Sequence, residues 1–204
     1  MPLKHLLHGC PHCGSREVEG GGDRVLCRGC GTRFERGGAG ATVDVVEPGG
    51  RRTRVAAHRL ARAVEEMSGG GRSSDGEGEP PEASARVRRG REEEAIGYRG
   101  RLFGFVEVLG EPAVATLRLT EEGLEILNGD GRPEEGWSLM ELRAVQSTSS
   151  SLQIYTADGE LVQFRFGDAS PLYWESLLHR ALRKAYRESG RGEIVEFQPR
   201  ISVR

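Results

Sequence analysis

The amino-acid sequence predicts a mainly β protein in which a small metal-binding module is tethered to a larger β domain that ends in a helix. Three observations support this prediction. Four cysteines form two closely spaced pairs near the N-terminus, and seven short apolar runs followed by one amphipathic segment fill the second half of the chain. Between them, residues 68–95 are rich in glycine, serine and charge, which predicts a disordered linker.

The cysteines form the pairs Cys10/Cys13 and Cys27/Cys30, and they are all the cysteines of the chain. A Cys-x2-Cys turn points two sulfurs at one centre, a glycine follows each pair, and the segment between the pairs is long enough for a hairpin. The spacing therefore predicts one tetrahedral zinc ion held by four thiolates. Because such a site is coordinatively closed, we expect a structural metal and no catalytic one.

Two alternatives compete with zinc: a pair of disulfides and a thioredoxin-like redox pair. The N-terminus resembles no signal peptide, so we expect a reducing, cytoplasmic location, where disulfides are disfavoured. His5, His8 and His12 lie within or just before the first cysteine pair. Since four sulfurs already complete the coordination shell, we expect these histidines to be bystanders.

The cysteine pattern from Cys10 to Phe34 resembles the zinc-ribbon superfamily, which predicts a ribbon domain over residues 1–36. The resemblance implies roles in nucleic-acid machinery, in enzymes or in protein interaction. A nucleic-acid surface needs a concentrated basic face with aromatic platforms. Basic and acidic side chains are balanced in this segment, as in the whole chain with 29 of one and 31 of the other. This balance disfavours nucleic acid as the partner.

Residues 41–67 predict a short strand and a basic helix. Ala41–Glu47 reads as the strand, Pro48 begins a turn, and Arg54–Met67 repeats apolar residues at helical spacing. Five arginines between residues 51 and 62 suggest either a solvated face or a clamp for an acidic partner or anionic lipid. We favour the solvated face, because no aromatic residue is available to enter a bilayer.

From about Gly97 the sequence turns to short strands separated by turn residues, as in an antiparallel meander. The apolar runs are residues 102–109, 113–119, 124–127, 137–140, 142–145, 152–155 and 161–166. After them, Ser170 can cap a helix with Pro171 at its first position. The helix carries an apolar stripe made of Trp174, Leu177, Leu178, Ala181 and Ala185. We expect this stripe to pack over the open end of a barrel, with the tryptophan in the core.

Seven strands and a final helix with a tryptophan in its first turns resemble the pleckstrin-homology (PH) superfold, and residues 137–145 resemble the middle strands of its GRAM-type members. The resemblance covers residues 97–189 and implies a seven-stranded β-barrel capped by the helix. Where such domains bind phosphoinositides, the loop between the first two strands is rich in lysine and arginine. The corresponding loop here, Leu109–Pro112, is acidic, so we do not expect phosphoinositide binding at this surface.

Residues 190–204 form a tail that alternates apolar and polar residues, and this pattern predicts either an added edge strand or a docking segment. No P-loop, nucleophile elbow or zinc-protease motif occurs, so we predict no enzyme activity. The sequence favours a zinc-binding adaptor that contacts a protein or, as a peripheral protein, a membrane surface. It leaves the oligomeric state open.

The sequence leaves two alternative functions open. A ribbon, a small β domain and the ending Ile194–Arg200 resemble accessory regions of bacterial phospholipid-synthesis acyltransferases, whose His-x4-Asp motif is absent here. This resemblance implies a non-catalytic accessory of a lipid acyltransferase. The third possibility is a nucleic-acid-binding zinc-ribbon protein.

Overall fold

The computed structural model describes residues 2–38, 41–70, 80–148 and 150–190. The chain divides into two compact units, Met1–Gly78 and Glu79–Arg204. Each unit is built on one antiparallel sheet, with five strands in the first and eight in the second. The predicted fold class, mainly β with a C-terminal helix, is confirmed.

The first unit is a five-stranded meander with two helices. Its elements are α1 (Leu3–Leu6), β1 (Val18–Gly21), β2 (Arg24–Cys27), β3 (Arg33–Arg36), β4 (Thr42–Val46), β5 (Arg52–Ala56) and α2 (Ala57–Gly70). The strands pair in chain order. Leu7 and Phe34 are fully buried between the sheet and the helices. Large apolar side chains thus provide a core for a unit of modest size.

The structure corrects two predicted boundaries in this unit. The ribbon strands and residues 41–67 were expected to be separate pieces, but β3 pairs with β4 and all five strands form one sheet. The helix begins at Ala57 rather than at Arg54. Arg54 lies opposite Asp44 in the β4–β5 register and donates to both of its carboxylate oxygens, at 2.7 and 3.1 Å. This pair holds Arg54 in a strand.

The second unit contains eight strands followed by one long helix. Its elements are β6 (Glu82–Ile96), β7 (Leu102–Leu109), β8 (Ala113–Leu119), β9 (Gly123–Leu127), β10 (Pro133–Ser138), β11 (Leu142–Ser147), β12 (Leu152–Thr156), β13 (Leu161–Phe166) and α3 (Pro171–Glu188). The sheet runs in the order β10-β9-β8-β6-β13-β12-β11, and β7 pairs with β6 beside this path. Each of the seven predicted apolar runs contributes to a strand.

β6 corrects the predicted linker. Residues 68–95 were expected to be disordered, yet residues 82–95 belong to a strand that pairs with β8, β7 and β13. Its alternate residues Ala83, Ala85 and Val87 face the core, while the polar residues Ser84 and Arg86 occupy the exposed positions between them. Pairing with three other strands stabilises a segment whose composition alone predicts a loop. Residues 71–79, the rest of the predicted linker, lie outside the described residues.

Because β6 precedes all the predicted strands, the loop that joins the first two strands of this sheet is a different one. That loop is Gly97–Arg101, not Leu109–Pro112 as the sequence suggested. It carries two exposed arginines, Arg99 and Arg101, so the expectation of an acidic loop between the first two strands is wrong. Arg99 has a positive φ of 64°, a conformation that a tight turn imposes.

Helix α3 begins as predicted, with the Ser170 hydroxyl accepting a hydrogen bond from the Tyr173 N–H at 3.3 Å and Pro171 in the first turn. Trp174 is 1% exposed and its ring stacks on Phe166 with centroids 5.7 Å apart. The predicted placement of this tryptophan in the core is therefore correct. The predicted tail beyond Gly190 lies outside the described residues.

Candidate metal centre

The two cysteine pairs sit in turns of the same construction. In the first, the Gly14 N–H donates to the Cys10 carbonyl at 2.8 Å, and in the second the Gly31 N–H donates to the Cys27 carbonyl at 2.9 Å. Gly14 and Gly31 have φ angles of 77° and 73°, a backbone conformation that residues with a Cβ rarely adopt. Each glycine therefore allows its chain to turn back and aim both sulfurs inward.

The second turn joins β2 to β3, while the first precedes β1. The β1–β2 hairpin brings the turns together, since Val18 lies opposite Cys27 in the register. The predicted site residues Cys10, Cys13, Cys27 and Cys30 thus converge, and their four Sγ atoms all lie within 4.8 Å of one another.

The sulfur separations fit a tetrahedral metal. The Cys10 and Cys30 Sγ atoms are 3.7 Å apart, and those of Cys13 and Cys27 are 3.6 Å apart. A zinc ion with Zn–S bonds of about 2.3 Å in tetrahedral geometry requires sulfurs about 3.8 Å apart. The four side chains could therefore hold one metal ion.

The environment of the thiols is uneven. Cys10 and Cys27 are fully buried, Cys30 is half-buried and Cys13 is exposed. Burial raises the pKa of the Cys10 thiol to about 12. Burial would also raise the pKa of Cys30, but hydrogen bonds with the side chain and the backbone of Thr32 outweigh it and lower that pKa to about 6. Metal binding at neutral pH must therefore displace a proton from Cys10.

Three residues that the sequence did not single out support the sulfurs. The Thr32 hydroxyl lies 3.2 Å from the Cys30 Sγ, and its side chain is fully buried. Gly29 packs directly on Ser15 of the first turn, because a Cβ built at Gly29 would lie 2.8 Å from the Ser15 Cβ. Such contacts around metal ligands orient them and tune the site. Their only sequence signal is proximity to the cysteines.

The histidines near the first pair do not join the sulfur cluster. Within the part of the chain that the structure describes, the group that could hold a metal contains the four cysteines alone. His12 is exposed in the first turn, whereas His5 is buried in α1. A set of four sulfurs leaves no position for water or substrate, so the chemistry that it supports is structural.

Comparison with known proteins adds little on function. No protein-family model matches the chain, and no curated protein matches it. The solution structure of the PH domain of human oxysterol-binding protein-related protein 11 matches 64% of this chain and 100% of that chain, at 15% identity and a TM-score of 0.37. Nothing in these comparisons supports the resemblance to acyltransferase accessory regions. None of the described helices combines the length and the apolar character needed to cross a bilayer.

Proposed function

We propose that this protein is a non-enzymatic adaptor in which a zinc ion stabilises the first unit and the second unit binds a protein partner. The observation that carries the proposal is the convergence of four cysteine sulfurs within 4.8 Å. This donor set matches structural zinc and leaves no site for substrate chemistry. Zinc is the metal that best fits four thiolates at tetrahedral spacing.

The proposed metal would join the two cysteine turns, and this connection determines its role. The Cys10–Cys13 turn precedes the first strand of the sheet, and the Cys27–Cys30 turn lies between its second and third strands. A metal bound to both turns closes a loop of the chain and fixes the β1–β2–β3 hairpins on each other. Structural zinc sites contribute directly to folding energy, so this unit should depend on its metal.

The binding role of the second unit rests on where its apolar side chains are exposed. The exposed large hydrophobic residues of the described chain are Ile96, Leu102, Val106, Val108 and Val114. All of them lie on the β6–β7 hairpin or at the start of β8. Exposed apolar residues that cluster in one region mark interaction surfaces.

Cross-linking followed by mass spectrometry in the native cell tests the adaptor role. Cross-links from a partner should map to residues 90–114. Arg132→Glu reverses the charge of an exposed arginine outside this region and should leave these cross-links unchanged. Cross-links spread evenly over the second unit, or none above a tag-only control, would contradict the adaptor role. Zinc analysis of the same preparation tests the metal independently.

A peripheral membrane contact is a second candidate, favoured by the tip of the same hairpin. Ile96 and Leu102 lie opposite each other and are 58% and 48% exposed, and the loop between them exposes Arg99 and Arg101. Apolar side chains beside arginines are suited to an anionic bilayer surface.

Vesicle sedimentation tests this candidate. The chain should bind vesicles containing phosphatidylserine but not neutral vesicles. The double variant Arg99→Glu/Arg101→Glu should abolish that binding, whereas Arg132→Glu serves as the control. Equal sedimentation of the parent with neutral and anionic vesicles would rule out this contact.

The nucleic-acid alternative receives less support, because many arginines of the first unit are paired with acids. These pairs are Arg28–Glu19, Arg36–Asp23, Arg52–Glu35, Arg54–Asp44 and Arg62–Glu66. Ion pairing reduces the positive field available to phosphates. A salt-dependent shift of DNA or RNA by the full chain would restore this alternative.

A further inference from the structure

We propose that Arg86, Arg88 and Arg165, on the outer face of β6 and β13, form a phosphate-binding site for a phosphorylated serine or threonine of a protein partner. Such a site would specify the chemistry of the partner, and it therefore rests on the proposed function. Three observations support it: two arginines that face each other across the strands, a buried guanidinium nitrogen without an acceptor, and an exposed apolar side chain in the same row.

Two of the arginines lie on β6, with their side chains on the face of the sheet that points away from the core. Ala85 and Val87 belong to the core cluster. Because side chains alternate along a strand, Arg86 and Arg88 point to the opposite, outer face. Arg86 is exposed and Arg88 is half-buried, whereas Val87 between them is buried. At the usual rise of a strand, the Cα atoms of the two arginines are about 6.6 Å apart.

The third arginine lies beside them on β13. Phe164 and Phe166 pack in the core, so Arg165 between them points to the outer face, where it is exposed. In the register of β13 with β6, Arg165 lies directly opposite Arg86. Residues opposed in this way have Cβ atoms about 4.5 to 5.5 Å apart. Three long guanidinium side chains can therefore reach one anion placed over the two strands.

This arrangement opposes like charges that no described acid neutralises. Among the residues that the structure describes, none of these three arginines forms an ion pair. By contrast, Arg118 on the neighbouring strand β8 pairs with Glu82 at 2.7 Å, and Arg89 of β6 donates to Glu135 at 2.8 Å. Directly opposed like charges destabilise a pair of strands. A bound anion would remove this cost.

The second observation concerns the Nε–H group of Arg88. It is buried, and no described residue accepts a hydrogen bond from it. The cross-strand neighbour of Arg88 is Gln163, which in turn faces Gln153 of β12. The carboxylate of Glu107 reaches this face, but its oxygens accept hydrogen bonds from Gln153 and Tyr155, at 2.9 and 3.0 Å. A buried donor without an acceptor costs free energy, and an anion bound beside Arg88 would supply the acceptor.

A phosphate monoester matches these donors better than a carboxylate does. It carries about 1.5 to 2 negative charges at neutral pH and offers three acceptor oxygens, which guanidinium groups bind in pairs. A single carboxylate carries one charge and offers two oxygens, fewer than the number of guanidinium groups at this site. The charge and the number of acceptors therefore favour phosphate.

The surroundings favour a phosphorylated protein over free phosphate. Val114 of β8 lies opposite Arg86, on the other side of β6 from Arg165, and it is 77% exposed. Free phosphate would leave this side chain uncovered, whereas a residue next to a phosphorylated one in a peptide could cover it. Val114 is also one of the exposed apolar residues assigned above to partner binding, so the two surfaces are continuous.

A nuclear magnetic resonance titration of the full, isotope-labelled, zinc-loaded chain tests the site. The probe is a pentapeptide with phosphoserine between two valines, capped at both ends. It should shift the Nε–Hε signals of Arg86, Arg88 and Arg165 with a dissociation constant below about 1 mM. The unphosphorylated peptide should leave these signals unchanged. Inorganic phosphate should shift the same signals but bind more weakly, because it makes no contact with Val114.

The double variant Arg86→Gln/Arg165→Gln removes the opposed charges and should weaken binding of the phosphopeptide at least about tenfold. Without phosphate, this variant should unfold at the same temperature as the parent or a higher one, because it relieves repulsion between the strands. Arg132→Gln changes an exposed arginine just before β10 and is the matched control, which should bind like the parent.

The proposal is overturned if about 5 mM phosphopeptide shifts none of the three arginine signals, or if both peptides bind equally. It is also overturned if the folded double variant binds like the parent, or if the control loses as much affinity. Sedimentation with vesicles containing phosphatidic acid that disappears in the double variant would assign the site to a membrane and overturn it as well. Cross-links at residues 90–114 that persist after such a result would leave the adaptor role intact, so the two failures can be distinguished.

Discussion

Replacing Trp174 with alanine should remove most of the stability of the second unit. The side chain is 1% exposed, and its ring stacks on Phe166 at 5.7 Å with an angle of 14° between planes. Truncating a buried tryptophan costs about 3 to 5 kcal/mol, since it removes apolar burial and leaves a cavity. A domain has only about 5 to 15 kcal/mol in total, so the loss is a large share.

Thermal unfolding measured by circular dichroism tests this prediction. A loss of 3 kcal/mol lowers the midpoint of a domain of this size by at least about 12 °C. Trp137 remains as a fluorescent reporter, 8% exposed and packed edge-on against Phe164. Trp174→Phe retains an aromatic ring and should lose less. If the alanine variant melts within about 2 °C of the parent, the tryptophan does not anchor the helix to the sheet.

Three further predictions concern the metal site and the second unit. Gly29→Ala should weaken zinc binding at least about tenfold, because the new Cβ collides with Ser15. Gly21→Ala is the control, since a Cβ at Gly21 meets no atom within 4 Å. Equal zinc affinities of the two variants in a chelator competition would show that the contact of Gly29 with Ser15 does not support the site. In the folded chain, burial lowers the pKa of the His179 imidazole below 6.5, so this side chain binds a proton more readily when the chain is unfolded. The stability of the second unit should therefore fall as pH drops below 6.5, and His179→Gln should flatten this dependence in urea titrations; an unchanged slope would argue against it. Chelation should unfold the first unit and leave the near-UV signal of the tryptophans unchanged, because both tryptophans lie in the second unit. Loss of this near-UV signal together with unfolding of the first unit would show that the two units unfold as one.

Much of the fold could be predicted because the apolar pattern is strong where burial is strong. The runs that became β7 to β13 and the stripe of α3 each carry large side chains at strand or helix spacing. β6 was missed because its core positions hold Ala83, Ala85 and Val87, which give a weak signal among many charges. Its strand conformation depends on partners far along the chain, and a local pattern cannot reveal them.

The convergence of the four cysteines could be predicted from spacing alone, because two Cys-x2-Cys turns impose the geometry locally. The contact of Gly29 with Ser15 and that of Thr32 with Cys30 arise when the two turns meet. The start of α2 was displaced for a similar reason, since Arg54 pairs with Asp44 across the sheet. In each case a tertiary contact decided what the sequence left open.

The most direct test of the account is X-ray absorption at the zinc edge, combined with metal analysis of protein purified under reducing conditions without chelator. A closed four-cysteine site should give one zinc per chain with four sulfur neighbours at about 2.3 Å and no light-atom ligand. Protein that folds without metal, or zinc with nitrogen or oxygen neighbours, would contradict a closed site formed by Cys10, Cys13, Cys27 and Cys30.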